Sequence, residues 1–359
     1  MKFAKKIIIN KRTISLNHPT YFIADIAANH DSNLNRAKDL IWKAKKAGAD
    51  AVKFQHFLAE KIVSDYGFRN LGEQLSHQKK WKKSVFDTYK KYSLNREWNL
   101  ELINTAKKAK IDWLTTPYDY EAVNNLNKYL YVYKIGSGDI TWLEFIEFIA
   151  KKKKPIFIAC GASTINEIKK AINAIVKSKN NRICLMQCNT NYNLSKENFK
   201  YINLNVLNSF KKKFPGIILG LSDHTSEHAT VLGAISLGAR IIEKHFTDNN
   251  KRQGPDHSFS MTPKKWIEMI ERARELEMSL GSGIKKIEKN EQQTYILQRR
   301  CIRLIRNMRA GEKITCNDIE YLRPAPKNAF KPFEKNKIVG KIITKNKKKG
   351  SELYKSDIS

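Results

Sequence analysis

The stretch IILGLSDHTSEHATVLGAISLGARIIEKHFTD, residues 217–248, decides the fold. Ile217–Leu221 and Ile241–Lys244 are apolar, β-branched runs of strand length. Thr225–Leu237 between them carries small and apolar residues at helical spacing, which predicts a helix. A strand–helix–strand unit of this size joins parallel strands. Each strand ends in reactive residues: Ser222-Asp223-His224 after the first, His245 and then Thr247-Asp248 after the second. The same texture recurs upstream at Tyr21–Ile26, Ala51–Phe54, Asp112–Thr115, Val132–Ile135, Pro155–Ala159 and Ile183–Gln187. Amphipathic stretches such as Asn35–Lys46, Arg96–Ala109 and Thr164–Val176 separate them. Eight βα repeats over about 250 residues predict an α/β chain closed into a (β/α)8 TIM barrel rather than an open doubly wound sheet.

Outside these repeats the texture changes. Ile7-Ile8-Ile9 and Thr13–Leu16 flank Asn10-Lys11-Arg12, which predicts a hairpin placed to plug the N-terminal mouth of the barrel. After the last helix, Pro263–Leu280, Gly281-Ser282-Gly283 marks a break. The expected division is a catalytic barrel with its hairpin at 1–283, a charged linker at 284–298, and a small β-rich domain at 299–359. Short strands are expected there at Cys301–Ile305 and Ile338–Ile343. Two similar phrases, Met308–Ile314 and Lys347–Leu353, are each followed by an Asp-Ile pair, Asp318-Ile319 and Asp357-Ile358.

Composition narrows the function. Of 359 residues 41% are hydrophobic, enough for a sizeable core. The 67 basic and 35 acidic residues give +32, yet the lysines are spread along the chain. The main runs, Lys151–Lys154 and Lys347–Lys349, fall at expected turns. A solvated lysine coat that attracts anionic substrates fits this spread, and no nucleic-acid partner is expected. A basic RNA-binding scaffold is the non-enzymatic alternative. No run approaches the roughly 18 apolar residues of a membrane span, and Ile7–Ile9 is too short for a signal-peptide core. A cytoplasmic protein without membrane association is the expectation. The five cysteines are odd in number, which argues against a disulfide framework; Cys184 and Cys188 lie in a strand and are expected to be core thiols.

The rim where barrel enzymes build their sites is rich in candidates. Asp25 ends the first strand; Lys53 and Gln55 belong to the second. Thr116 follows the third, and Lys134 precedes Gly136-Ser137-Gly138-Asp139 on the fourth. Thr190 and Tyr192 follow the sixth. His224 and His245 stand one βα unit apart, so adjacent strand ends can bring both imidazoles onto one divalent ion. Glu243 shares the inward face with His245. Two neutral imidazoles leave positions open for water and substrate. That pair alone leaves Mn, Mg, Zn and Co open. Lys53 and Lys134, pointing into one mouth, suggest a bound dianion such as a phosphate ester. Schiff-base chemistry by either lysine is the competing reading.

Together these phrases resemble the sialic acid synthase family over nearly the whole chain. The resemblance rests on Asn29-His30, Val52-Lys53-Phe54-Gln55, Thr116-Pro117 and Tyr133-Lys134-Ile135-Gly136-Ser137-Gly138. It continues through Gly220–Thr225, Glu243–Asp248 and Gly254-Pro255-Asp256. The tail is similar to the antifreeze-like (SAF) domain of that family, with Leu322-Arg323-Pro324 at its hallmark position. The resemblance implies a synthase that condenses phosphoenolpyruvate with an N-acetylhexosamine, N-acetylmannosamine or a derivative, and releases phosphate. Synthases of the legionaminic or pseudaminic type and a metal-dependent barrel aldolase are the enzymatic alternatives. It implies that His224 and His245 hold the metal, Mn2+ or Mg2+. Lys53, Thr116, Lys134, Ser137, Thr190 and Ser222 would surround phosphoenolpyruvate. Gln55, Tyr192 and Asp256 would contact the sugar, and Arg323 would come from the partner of a domain-swapped homodimer. Asp25 and Asp256 are the candidates for proton management. Three positions depart from the family pattern: Asp25 and Asp139 where glutamates are usual, and Gln187 where a histidine is common.

Overall fold

Two hairpin strands, β1 (Ile7–Ile9) and β2 (Arg12–Ile14), precede eight parallel strands. The eight are β3 (Tyr21–Asp25), β4 (Ala51–His56), β5 (Asp112–Pro117), β6 (Tyr133–Ile135), β7 (Ile156–Ala159), β8 (Ile183–Cys188), β9 (Ile218–Asp223) and β10 (Ala239–His245). In the computed structural model, which describes residues 2–72, 77–192 and 195–359, their ladder runs β5-β4-β3-β10-β9-β8-β7-β6. The end strands β5 and β6 pack side by side, so the sheet curls into a barrel with one seam. Two compact units emerge, Met1–Gly281 and Ser282–Ser359. Among the described residues no helix is long and apolar enough to cross a membrane.

The pleat explains the distribution of side chains. Phe22 and Ala24, Val52 and Phe54, Ile183 and Leu185 point outward and join the core beneath the helices. Alternate residues point inward: Tyr21 and Ile23 on β3, Ala51 on β4, Leu114 on β5, Phe157 on β7, Cys184 and Met186 on β8, Ile241 on β10. Ile7, Ile9 and Ile14 of the hairpin join this inner cluster with no exposed surface, beside the first residues of the barrel strands. Continuing the same alternation toward the C-terminal ends turns the interior polar, at Asp25, Lys53, Lys134, Ser222, Glu243 and His245. Gly220 keeps this inner layer passable, because a Cβ there would lie 2.8 Å from the Ile241 carbonyl oxygen.

The helix expected over Thr225–Leu237 begins only at Ala229 and ends at Ser236. The cause lies one strand downstream. Lys244 is buried, and its ammonium pairs with Asp223 and takes the carbonyl oxygens of Thr225 and Glu227. Those carbonyls are thereby withdrawn from a helical ladder. Between β4 and Arg96, where the sequence reading assigned no helix, the described residues form the short α-helices Ala59–Ile62, Asp65–Asn70 and Val85–Tyr92.

In the second unit β11 (Cys301–Leu304) pairs antiparallel with β12 (Ile319–Leu322). The strand expected at Ile338–Ile343 does not form. A 3-10 turn at Pro332–Lys337 runs into it and Gly340 adopts a φ of 90°. Only isolated bridges remain, from Ile342 to Lys313 and from Ile343 to Ile358. The segment expected as linker holds a 3-10 turn, Lys289–Glu291, and the helix Gln292–Leu297. The two similar phrases face each other. Met308 and Lys347 exchange backbone hydrogen bonds of 2.9 and 2.8 Å. Asp318 and Asp357 close equivalent turns by accepting from the backbone of Thr315 and Tyr354 at 2.8 and 3.0 Å.

Candidate active site

At the C-terminal mouth the inward-facing polar residues enclose a cavity of about 620 Å³. At its floor Lys53 donates to Thr116 Oγ1 at 3.1 Å and lies 2.8 Å from Asp25 Oδ2. Lys53 and Lys134 both approach Glu243 Oε1, at 3.7 and 3.3 Å. Ser222 Oγ donates to the same oxygen at 3.3 Å, while Glu243 Oε2 is buried without a partner among the described residues. Two acids and two ammonium groups thus balance in one desolvated cluster. Burial works against the charge of Lys53, but Asp25 and Glu243 hold its ammonium above the ordinary lysine value. Burial likewise opposes the Asp25 carboxylate; the Lys53 ammonium overcomes this and holds Asp25 below its usual range. Gln55 Nε2 and the Ala27 N–H complete its donors at 3.0 and 3.1 Å. The shorter acid therefore still engages its lysine.

The imidazoles stand above this floor, ring centroids 5.4 Å apart. His224 Nδ1 meets the Asn189 carbonyl at 2.8 Å, so it is the donor and Nε2 carries the lone pair. Burial opposes protonation of His224, but Cys188 and the Asn189 carbonyl raise its pKa above the ordinary value. An ion would compete with that proton for Nε2. Burial pushes His245 down to about 3, leaving a neutral ring whose Nδ1 has no hydrogen-bond partner among the described residues. Asp25 Oδ2 and Asp256 Oδ2 flank the two nitrogens of His245 at 3.8 and 4.0 Å. A buried orphan nitrogen beside a second imidazole fits a divalent ion. Among the described residues no group of three or more His, Cys, Asp or Glu is arranged for one.

The remaining predicted residues sort by position. Ser137, Asp139, Thr190 and Tyr192 line the same cavity. Ser137 Oγ accepts from the Gly161 N–H at 2.9 Å, and a Cβ at Gly161 would strike Thr190 at 2.5 Å, so glycine is required there. Tyr192 lies over His224 at 4.3 Å between centroids. Burial pushes Asp139 up to about 6, and its Oδ2 has no partner among the described residues. Asp256 lines an adjoining recess; it accepts from the Ala28 N–H at 3.0 Å, and burial pushes it up to about 6. Arg323 is exposed on the second unit.

Asn29 and His30, part of the motif that carries the resemblance, act as fasteners. Asn29 Nδ2 donates to Phe246 O and Ser260 Oγ at 2.9 and 2.8 Å. His30 Nδ1 accepts from the Ser32 N–H at 3.1 Å, and burial holds the ring at about 4. Gln187 is buried and donates to the Ile202 carbonyl at 3.0 Å. Sequence reasoning assigned no role to Glu243, although its inward parity with His245 was visible. It also missed Phe57, Tyr89 and Tyr118, aromatic residues of the cavity wall whose spacing carries no sign of convergence.

A family model described as NeuB family matches residues 40–285, and one described as SAF domain matches residues 299–359. N,N'-diacetyllegionaminic acid synthase of Campylobacter jejuni is 35% identical over 335 residues, covering 92% of this chain and 97% of that protein. Human N-acetylneuraminate-9-phosphate synthase is 31% identical over 277 residues, covering 77% of this chain and 75% of that protein. The solved N-acetylneuraminic acid synthetase from Leptospira borgpetersenii, in complex with citrate, superposes with a TM-score of 0.70. It is 27% identical, over 81% of this chain and 95% of that one.

Proposed function

This chain belongs to the NeuB family, and we propose that it is a transferase joining phosphoenolpyruvate to an N-acetylhexosamine in its open-chain aldehyde form. The product is a nine-carbon keto acid sugar of the sialic type, and phosphate is released. The observation that carries this reading is the convergence of Lys53 and Lys134 on one carboxylate directly below two facing imidazoles. In that arrangement a phosphorylated enol and a carbonyl can meet.

Lys53 and Lys134 hold the phosphate ester, with Thr116, Ser137, Thr190 and Ser222 as neutral partners. Their charges already balance Asp25 and Glu243, so a dianion entering the floor needs further positive charge nearby. A divalent ion, Mn2+ or Mg2+, held by His224 and His245 would supply it and polarise the sugar aldehyde as a Lewis acid. The enol carbon bonds to the aldehyde carbon, and the aldehyde oxygen takes a proton. Water adds to the adjacent electron-poor carbon and loses a proton. The bond to the phosphate oxygen then breaks, and the two ammonium groups stabilise the leaving dianion. Asp256, held at about 6 by burial, is better poised than Asp25 to carry these protons at neutral pH. Asp25 instead keeps the Lys53 ammonium in place.

Lys53 is held in its ammonium form, which opposes Schiff-base chemistry and favours the synthase over an aldolase. Arg323 would reach the sugar from the partner subunit of a domain-swapped homodimer. The test is phosphate release from phosphoenolpyruvate with a panel of N-acetylated hexoses. Release should require both the sugar and phosphoenolpyruvate. Carbon–carbon bond formation without phosphate would refute the synthase. The panel should span the kinds of acid the relatives are named for, since one is named for a diacetylated acid and another for a 9-phosphate.

A further inference from the structure

Asp223 and Lys244 stand directly behind the two imidazoles. They are register partners on β9 and β10, and each precedes a histidine of the site, His224 or His245. By the pleat they point outward, on the face of Leu221 and Ile242 that packs beneath the helices. Ser222, Glu243 and His245 point the other way, into the cavity. Both side chains of the pair are 1% exposed.

Their bonds bracket His224. The Lys244 ammonium pairs with Asp223 and donates to the carbonyl oxygens of Thr225 at 2.6 Å and Glu227 at 3.3 Å. Asp223 accepts from the Thr225 N–H at 3.2 Å and from the hydroxyls of Thr225 and Thr230 at 2.8 and 2.7 Å. The residues on both sides of His224 are thus held by one buried pair, and its ring is aimed by the Asn189 carbonyl. His245 follows Lys244 directly, and beyond it the Phe246 N–H donates to the Asp25 carbonyl at 2.8 Å. The same ammonium therefore ties together the two backbone points from which the imidazoles project.

Stability alone does not explain this pair. Burying an ammonium and a carboxylate costs solvation that their attraction offsets only when the geometry is excellent, and an apolar pair of similar volume is often neutral or better. What the charged pair supplies is direction. An apolar pair would free the Thr225 and Glu227 carbonyls to join the helix that starts at Ala229, which would turn the chain at His224.

We propose that Asp223 and Lys244 are positioning residues of the metal site, setting the separation and aim of His224 and His245 and so the affinity for a divalent ion. The inference rests on the reading above that these imidazoles hold one.

The experiment titrates Mn2+ into the full chain and counts the free ion by electron paramagnetic resonance, with phosphate release measured alongside. The variants are Lys244→Met, the double variant Asp223→Asn with Lys244→Met, and Ile235→Ala. Ile235 is buried in the helix Ala229–Ser236, so its truncation weakens the same part of the barrel while leaving these hydrogen bonds in place. Both charge variants should raise the Mn2+ dissociation constant by at least about tenfold, the usual cost of losing a group that orients a metal ligand. KM for phosphoenolpyruvate at saturating Mn2+ should match that of the unaltered protein, because Lys53 and Lys134 belong to other strands. Ile235→Ala should bind Mn2+ as the unaltered protein does. If the single variant does not fold, the double variant, which strands no charge, decides alone. Unchanged Mn2+ affinity in the folded charge variants, or an equal loss in Ile235→Ala, overturns the positioning role. An unaltered protein that binds no Mn2+ overturns the metal reading and this inference with it.

Discussion

Lys53→Met removes one member of the buried charge cluster while keeping its length and most of its volume. Lys53 and Asp25 side chains are each 2% exposed and meet at 2.8 Å. In the variant Asp25 keeps Gln55 and the Ala27 N–H but loses the Lys53 ammonium. Breaking a buried pair on one side costs about 3–5 kcal/mol, because the remaining charge stays desolvated. Methionine leaves little cavity, so the packing loss stays below about 1.5 kcal/mol. The assay is urea unfolding followed by tryptophan fluorescence. The six tryptophans, from Trp42 to Trp266, all lie in Met1–Gly281, so the signal reports the barrel alone. With a slope of about 3 kcal/mol per molar urea, the midpoint should fall by roughly 1 M or more. Adding Asp25→Asn should restore part of it, since the stranded charge is gone. A midpoint within about 0.2 M of the unaltered protein, or a double variant no better than the single one, would show that the cluster is neither desolvated nor coupled. Turnover with phosphoenolpyruvate should be lost in both variants.

His245→Ala should abolish phosphate release while circular dichroism stays unchanged, and the unaltered protein in chelator should match it; full turnover in chelator would remove the ion from the scheme. Gly220→Ala forces a Cβ to within 2.8 Å of the Ile241 carbonyl and 2.9 Å of Met186. Overpacking of that kind costs about 1–3 kcal/mol, read as a lower urea midpoint by the same fluorescence. In the second unit, burial opposes the Asp357 carboxylate, but Lys347, Lys345 and the Tyr354 N–H hold its pKa below the ordinary value. A depressed folded pKa gives stability that is present above the unfolded value of about 3.9 and lost as pH falls through the folded one. Asp357→Asn should therefore weaken hydrogen-exchange protection of residues 340–359 at pH 7, and the difference from the unaltered chain should vanish toward pH 2. An equal difference at both pH values would refute the ionic role.

The barrel was legible because its strands are short apolar runs whose alternate residues change character toward one end. Lys53, Lys134, Ser222, Glu243 and His245 could be placed on one rim by parity alone. The shortened helix at Ala229 was not legible, since its cause is the buried ammonium of Lys244, one strand away. Ile338–Ile343 reads as a strand by composition, but Gly340 in its middle turns the chain. The aromatic wall of the cavity, Phe57, Tyr89, Tyr118 and Tyr192, comes from separate segments whose spacing carries no period, and only the folded chain brings them together. Arg323 could be named by resemblance to a family but not by any spacing in the chain.

Ile7, Ile9 and Ile14 stopper the far end of the barrel. Reactants therefore share one doorway. On β4, Lys53 sits two residues below Gln55, roughly 6.6 Å deeper along the strand. On the proposed reading, a phosphorylated reactant would settle on the floor before the sugar, because a sugar lodged at Gln55 and Asp256 would bar the way. Inorganic phosphate would then leave after the larger acid. Initial-rate kinetics should show this ordered pattern, and random binding would count against a single doorway behind the three isoleucines.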